Sequence, residues 1–255
     1  MCLITFRIAQ HPTYKLVLAA NRDEAYARPT EAANFWKSQP TLLAGKDLEA
    51  NGTWLGITKE GKIAAITNCH DGDFEEAIPA KKKSRGKIVT DYLASPLSPE
   101  DFLNELIAEK DAYLPFNVLL GTIDQLFHFN SREQSFTPLK PGTHSISNAT
   151  FNTPWPKVRR TKDQIETLTL EKDAYMDSLF QMMMDQTPAP DDELPKAPLP
   201  LDINRKVSAP FIKTDEFGTR CTTLILVDQE NNVTFVERTY DHTENYVDRT
   251  FEFTI

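Results

Sequence analysis

The sequence predicts an α+β fold of four layers, two mostly antiparallel sheets between two layers of helices. Strand-like and helix-like runs come in blocks, β-rich, αα, β-rich, αα, β-rich, where a doubly wound fold would alternate them singly. Neighbouring strand-like runs are separated by short turn-forming links, as hairpins are. Each helical run carries one apolar stripe and so needs a sheet on one side only. No internal repeat of solenoid period is evident. With 255 residues, 40% of them hydrophobic, the chain is long enough for a single large domain over 1–255.

In chain order, Cys2 to Ile8 and Tyr14 to Ala20 read as a hairpin joined by Ala9-Gln10-His11-Pro12-Thr13. Its far end is Asn21-Arg22-Asp23-Glu24, read as a polar turn where a purely structural one would favour Gly, Pro or Ser. The end of the second strand of such a hairpin lies beside the start of the first, so Arg22 and Asp23 fall next to Cys2. A loop is expected from Arg28-Pro29-Thr30, and a short edge segment from Leu42 to Gly45. Asn51 to Thr58 and Ile63 to Asn68, around Lys59-Glu60-Gly61-Lys62, extend the same sheet as strand, tight turn and strand. That run ends in the polar cluster Asn68-Cys69-His70-Asp71. Adjacent strand residues point to opposite faces, which argues against Cys69 and His70 serving one site.

Ser84 to Ala94 is a helix with Ile88, Val89, Tyr92 and Leu93 on its stripe, and Ser98-Pro99-Glu100-Asp101 opens a second helix to about Lys110. Phe116 to Thr122 and Gln125 to Asn130 form a hairpin, and Ser145 to Asn148 a short strand. Lys157 to Leu168 and Lys172 to Met184 are amphipathic helices, and the run Met182-Met183-Met184 reads as core filler rather than a metal or haem box. Residues 187–201, rich in Pro and acid, read as a surface loop. Leu224 to Asp228, Asn232 to Tyr240 and Arg249 to Ile255 complete the β content.

A net charge of -9 and a pI near 5.1 exclude a broad nucleic-acid or anionic-membrane footprint, because phosphate binding needs clustered Lys and Arg. The local exception, Lys81-Lys82-Lys83-Ser84-Arg85, reads as a solvated loop ahead of a helix. The three cysteines, Cys2, Cys69 and Cys221, have no CxxC spacing, which disfavours a disulfide framework and a structural zinc site. A reducing compartment is expected, with the cytoplasm as default in the absence of a secretory signal pattern or an apolar run of membrane-spanning length. The partners expected are a small-molecule substrate or ligand, not a nucleic acid.

Cys2 stands directly behind the initiator methionine. If Met1 is removed, one residue carries both a thiol and an α-amine, a nucleophile and a base in a single group. The amine has a reference pKa of roughly 7.7–8.0 and the thiol one of about 8.5, so proton transfer between them is near balance. The same position also suits an ordinary small apolar residue at the start of a strand. A guanidinium beside the thiol favours thiolate, and a carboxylate beside the amine orients it; an exposed ion cluster capping the hairpin is the alternative.

Met1-Cys2-Leu3-Ile4, Asn21-Arg22-Asp23-Glu24, Ser84-Arg85-Gly86 and Gly218-Thr219-Arg220-Cys221-Thr222-Thr223 together resemble the NRDE-motif family, also called the transport and Golgi organisation protein 2 family. The resemblance spans nearly the whole chain and implies the αββα fold of the N-terminal-nucleophile hydrolases. A more distant similarity to the bile salt hydrolases and penicillin V acylases implies an amide-cleaving site with Cys2 as nucleophile. Arg22 and Asp23 or Glu24 match their Arg and Asp loosely, since their order is Arg-Asn-x-Asp. The resemblance further implies roles for Asn68 and Asn148 as amide donors and for Arg220 at the head of a strand. Asn21, Glu24, Trp54 and Thr219 are the candidate substrate-binding residues, and no cofactor is implied. The competing reading is a binding or carrier protein on the same scaffold, for haem or acyl-coenzyme A and related lipids. For haem, Met182 to Met184 and five scattered His are the ligands on offer, and for the phosphates of coenzyme A, Lys81 to Arg85.

Overall fold

The first hairpin forms as its apolar and β-branched content dictates: β1 (Cys2–Ile8) pairs with β2 (Tyr14–Ala25), and Ala9 takes a left-handed φ of 51° in the link. The computed structural model describes residues 2–69, 82–168, 172–241, 243 and 245–255. β2 runs past Ala20, so Asn21-Arg22-Asp23-Glu24 is not a turn but strand, flanked on one side by β1 and on the other by β11 (Phe217–Asp228). Cross-strand partners on both sides satisfy polar groups that local propensity would have sent into a turn.

Two antiparallel sheets result. The first has the order β10 (Gly142–Ile146), β1, β2, β11, β12 (Asn232–Tyr240) and β13 (Tyr246–Thr254). The second runs β3 (Thr30–Trp36), β4 (Gln39–Asp47), β5 (Leu55–Thr58), β6 (Lys62–Asn68), β7 (Phe116–Thr122), β8 (Leu126–Asn130) and β9 (Thr137–Pro138). The two N-terminal hairpins thus belong to different sheets, because the free edge of β2 is taken by β11 from the far end of the chain. β3 and β4 replace the expected loop and short edge segment. Their Ala, Asn and Glu residues give little strand signal alone, and pairing with β5 together with the Trp36 Nε1–H bond to Ala44 O (3.0 Å) fixes them.

Helices cover one face of each sheet. α1 (Gly86–Ala94) and α2 (Pro99–Glu109) bury Ile88, Val89, Tyr92 and Leu103 against Leu42, Ile66, Val118 and Phe129. Ser98 caps α2 by accepting the Asp101 N–H at 3.1 Å, with Pro99 in the first turn. α3 (Pro156–Thr167) and α4 (Lys172–Met183) set Val158, Ile165, Tyr175 and Leu179 against Leu3, Val17, Ala19, Leu224 and Leu226. Each such fully buried aliphatic side chain contributes roughly 1.5–3 kcal/mol of transfer free energy. Met182 and Met183 lie in this core, as their reading as filler anticipated. A short α5 (Leu201–Val207) follows the loop at 187–201; its seven residues are too few to show a period.

The chain falls into two compact units, one of residues up to Ala27 with Pro141–Thr254, the other of Arg28–Lys140 with Ile255. In the second unit Ser84-Arg85-Gly86 has a packing role: a Cβ on Gly52 would stand 2.6 Å from the Gly86 carbonyl carbon, and the Thr53 N–H donates to Gly86 O at 3.2 Å. Arg85 donates to Pro115 O (3.1 Å) and Lys83 pairs with Glu109 (2.8 Å), so much of the basic run is tied to protein. Met1, His70, Asp71 and Lys81 lie outside the described residues. Among the described residues no helix is long and apolar enough to cross a membrane.

On the other face of the second sheet sits a buried polar chain. Asn117 Oδ1 accepts from Asn130 Nδ2 (2.8 Å) and from His128 Nε2 (3.2 Å), while Asn117 Nδ2 donates to Thr67 (3.2 Å) and Asn130 Nδ2 approaches the Cys69 sulfur at 3.4 Å. Burial drives the His128 pKa down to about 4.

Candidate active site

Strand register brings the first pair together. Cys2 lies directly opposite Arg22, and Arg22 directly opposite Cys221 on β11. Directly opposed residues share a face, so these three side chains rise from one face of the sheet, while Asn21 and Asp23 rise from the helix-covered one. The proximity of Arg22 and Asp23 to Cys2, expected from hairpin geometry, is present.

Asp23 is 3% exposed and accepts a hydrogen bond from Thr219 Oγ1 at 2.7 Å; the same oxygen accepts the Ile212 N–H at 2.9 Å. Burial pushes the Asp23 carboxyl up, and the charge of the chain's N-terminus, then that of Lys157 and the Thr219 bond, pull it back. Burial likewise pushes the half-buried Cys2 thiol up, helped by the Asp23 charge. The charge of the chain's N-terminus first, then the Asp23 backbone and the Arg22 guanidinium, oppose that rise.

Asn148, fully buried, follows β10, the strand on the other side of β1. Ser147 connects it to the site: its hydroxyl lies 3.0 Å from the Cys2 carbonyl oxygen and 3.3 Å from Asn148 Oδ1, and donates to one or the other. Arg220 is the extra residue of a β-bulge between Thr219 and Cys221, and its Nη1 donates to Ala25 O (2.9 Å) and Tyr26 O (3.1 Å). Burial and the neighbouring Arg22 charge lower its pKa.

Gly218 sets the entry to this bulge. A Cβ there would stand 2.2 Å from Tyr26 Oη and 2.6 Å from Ile212 O, the carbonyl that accepts the Thr219 N–H. Gly218→Ala is therefore expected to cost about 1–3 kcal/mol in chemical denaturation. Adding Tyr26→Phe should recover only part, since the backbone clash stays.

Of the remaining candidates, Asn21 is committed to the fold: its Nδ2 donates to Met183 O (2.8 Å) and Pro210 O (2.9 Å), and its Oδ1 accepts from Thr222 (2.6 Å). Glu24 is half-buried and accepts its neighbour's Ala25 N–H at 2.9 Å. Asn68, at the end of β6, and Trp54, just before β5, belong to the second unit. Sequence reasoning missed Ser147 and Lys157. Lys157 could have been found only from the helix row Lys157, Thr161, Ile165, once it was known that this row is the buried one.

Residues 1–242 match the family described as Transport and Golgi organisation 2. The chain belongs to this family. The Transport and Golgi organization protein 2 homolog of Bos taurus is 34% identical over 259 residues, covering 93% of this chain and 92% of its own length. The Homo sapiens homolog is 33% identical over 278 residues, covering 100% and 99%. Among solved structures, a Caenorhabditis elegans ortholog of N-acylethanolamine-hydrolyzing acid amidase is similar, with a TM-score of 0.50, 10% identity, and coverage of 89% of this chain and 92% of its own. At that identity the likeness speaks to the fold. This member of the Transport and Golgi organisation 2 family has the α+β fold of the N-terminal-nucleophile hydrolases.

Proposed function

We propose that the protein is a cysteine N-terminal-nucleophile hydrolase acting on a non-peptide carbon–nitrogen bond, the amide of a small acyl-bearing molecule, with Cys2 as nucleophile once Met1 is removed. The observation that carries this reading is the head of β1, where Cys2 stands directly opposite Arg22 and beside the buried Asp23 that follows it on β2. In this reading the α-amine of Cys2 takes the thiol proton, Asp23 orients that amine, and the thiolate attacks the amide carbon. The oxyanion so formed is met by Asn148, a donor of the kind whose loss costs roughly 10²–10³ in rate. Arg22 and Arg220 supply positive charge, with Arg220 held on the Ala25 and Tyr26 carbonyls. The protonated amine leaves, a thioester to Cys2 remains, and water releases the acid and restores the thiol. Asn21 and Thr219 act as supports. Three free thiols suit a reducing compartment, and we assign the protein to the cytoplasm.

The test is a panel of N-acyl amines of graded acyl length, with product analysis and acid quench of the reaction. The expected result is release of free amine and acid, with an acyl mass on the Cys2 peptide in quenched samples. If no amide is cleaved and no adduct forms, the hydrolase reading is lost.

A further inference from the structure

Lys157 is a lysine with 2% exposure at the second position of α3. Residues of this type are almost never fully buried without a partner. Three contacts show how it comes to lie where it does. At the far end of α3, Arg7 Nη1 donates to Ile165 O at 3.0 Å; one turn earlier, Thr161 Oγ1 is 2.8 Å from Thr5 Oγ1. Helix and strand therefore run antiparallel, and one more turn carries Lys157 to the head of β1, where Cys2 stands. There its Nζ donates to Val207 O at 3.2 Å, at the end of α5.

A carbonyl solvates an ammonium but does not neutralise it, and a buried ammonium without a countercharge costs several kcal/mol. The acids of α4, Asp173 and Asp177, are exposed, and β10 brings to α3 the hydroxyl of Ser145, which meets Thr5 at 2.9 Å. Arg7 occupies the other end of the helix. The groups whose charge acts on Lys157 are Asp23 first and Cys2 second, both favouring its protonated form against the burial that disfavours it. Seen from Asp23, two positive charges pull the carboxyl toward ionisation, that of the chain's N-terminus first and that of Lys157 second.

We propose that Lys157 is a positioning residue of the Cys2 centre: its buried ammonium is the countercharge of the Asp23 carboxylate and holds that acid ionised behind the thiol. With the cation in place Asp23 accepts from Thr219 and from an α-ammonium on Cys2; without it only the N-terminal charge is left to oppose burial, and the balance moves toward the neutral acid, which grips neither in the same way. The significance for catalysis rests on the hydrolase reading, whereas the charge pairing does not.

The experiment compares wild type, Lys157→Met and Lys157→Arg by carbon-13 NMR titration of the Asp23 carboxyl, with the pH profile of Cys2 alkylation by iodoacetamide measured on the same samples. Lys157→Met is expected to raise the Asp23 midpoint by about one pH unit or more, a tenfold change in ionisation ratio, and Lys157→Arg to bring it back toward wild type. The alkylation profile should shift in parallel. An Asp23 midpoint equal in wild type and Lys157→Met overturns the pairing even if Cys2 is reactive. An inert Cys2 with a shifted Asp23 overturns the hydrolase reading and upholds the pairing. Should Lys157→Met not fold, the reciprocal measurement serves: Asp23→Asn lowers the titration midpoint of the Lys157 side chain by a similar factor, and no change there overturns the proposal.

Discussion

Cys2→Ala is expected to abolish amide turnover, a loss on the order of 10⁴–10⁶-fold in kcat, while unfolding free energy stays within about 1 kcal/mol of wild type. The separation of the two effects follows from where the residue stands. Cys2 is the first, half-buried residue of β1, and its pairing with Arg22 runs through the backbone, which alanine keeps. What alanine removes is the sulfur that stands on the face of the sheet shared with Arg22. Turnover and urea denaturation measured on the same preparation check both halves. A fold-wide loss of stability in Cys2→Ala, or turnover retained within tenfold, would mean that the thiol is a packing element and not the reacting atom.

The stability of the chain should fall by about 3 kcal/mol as pH drops through the window set by His128. Its pKa is lowered from 6.5 to about 4 by burial, so between those values the unfolded chain binds a proton that the folded chain refuses. The contribution is fully present above pH 6.5 and is lost as pH falls toward 4; about 2 kcal/mol of it is gone by pH 5. The structural cause is burial: His128 is enclosed in the sheet with its Nε2–H given to Asn117 Oδ1, a neutral acceptor that takes Asn130 Nδ2 as well and brings no charge to offset an imidazolium. His128→Gln keeps a donor for Asn117 and should flatten this part of the pH dependence in urea denaturation. Parallel curves for wild type and His128→Gln would place the proton uptake elsewhere.

How much of this was legible in the sequence depended on whether the determining contact was local. The β1–β2 pairing and its consequence, Arg22 opposite Cys2, followed from hairpin geometry, and the α2 start from Ser98 and Pro99. Asn21 to Glu24 was misread as a turn because the partner that makes it a strand, β11, lies some two hundred residues along the chain. The same long-range pairing divided the first two hairpins between separate sheets. β3 and β4 carry too few β-branched residues to announce themselves, and only tertiary pairing holds them. In the site, the motif residues were visible as residue types, but their division of labour was not. Asn21 turned out to brace α4 and the segment before β11, and Thr219 to hold Asp23. Lys157 and Ser147 carry no motif; they matter through the face of α3 that is buried and through the neighbour of β10 that reaches the Cys2 carbonyl.

The central claim, that Cys2 is the reacting N-terminal residue, is tested most directly by intact-protein mass spectrometry of the native chain before and after brief treatment with a thiol electrophile. The account predicts a mature chain lacking Met1, with one label, on Cys2, while Cys69 and Cys221, at 2% and 3% exposure, stay unlabelled. A chain that keeps Met1, or a Cys2 that labels no faster than Cys69 and Cys221, would contradict it.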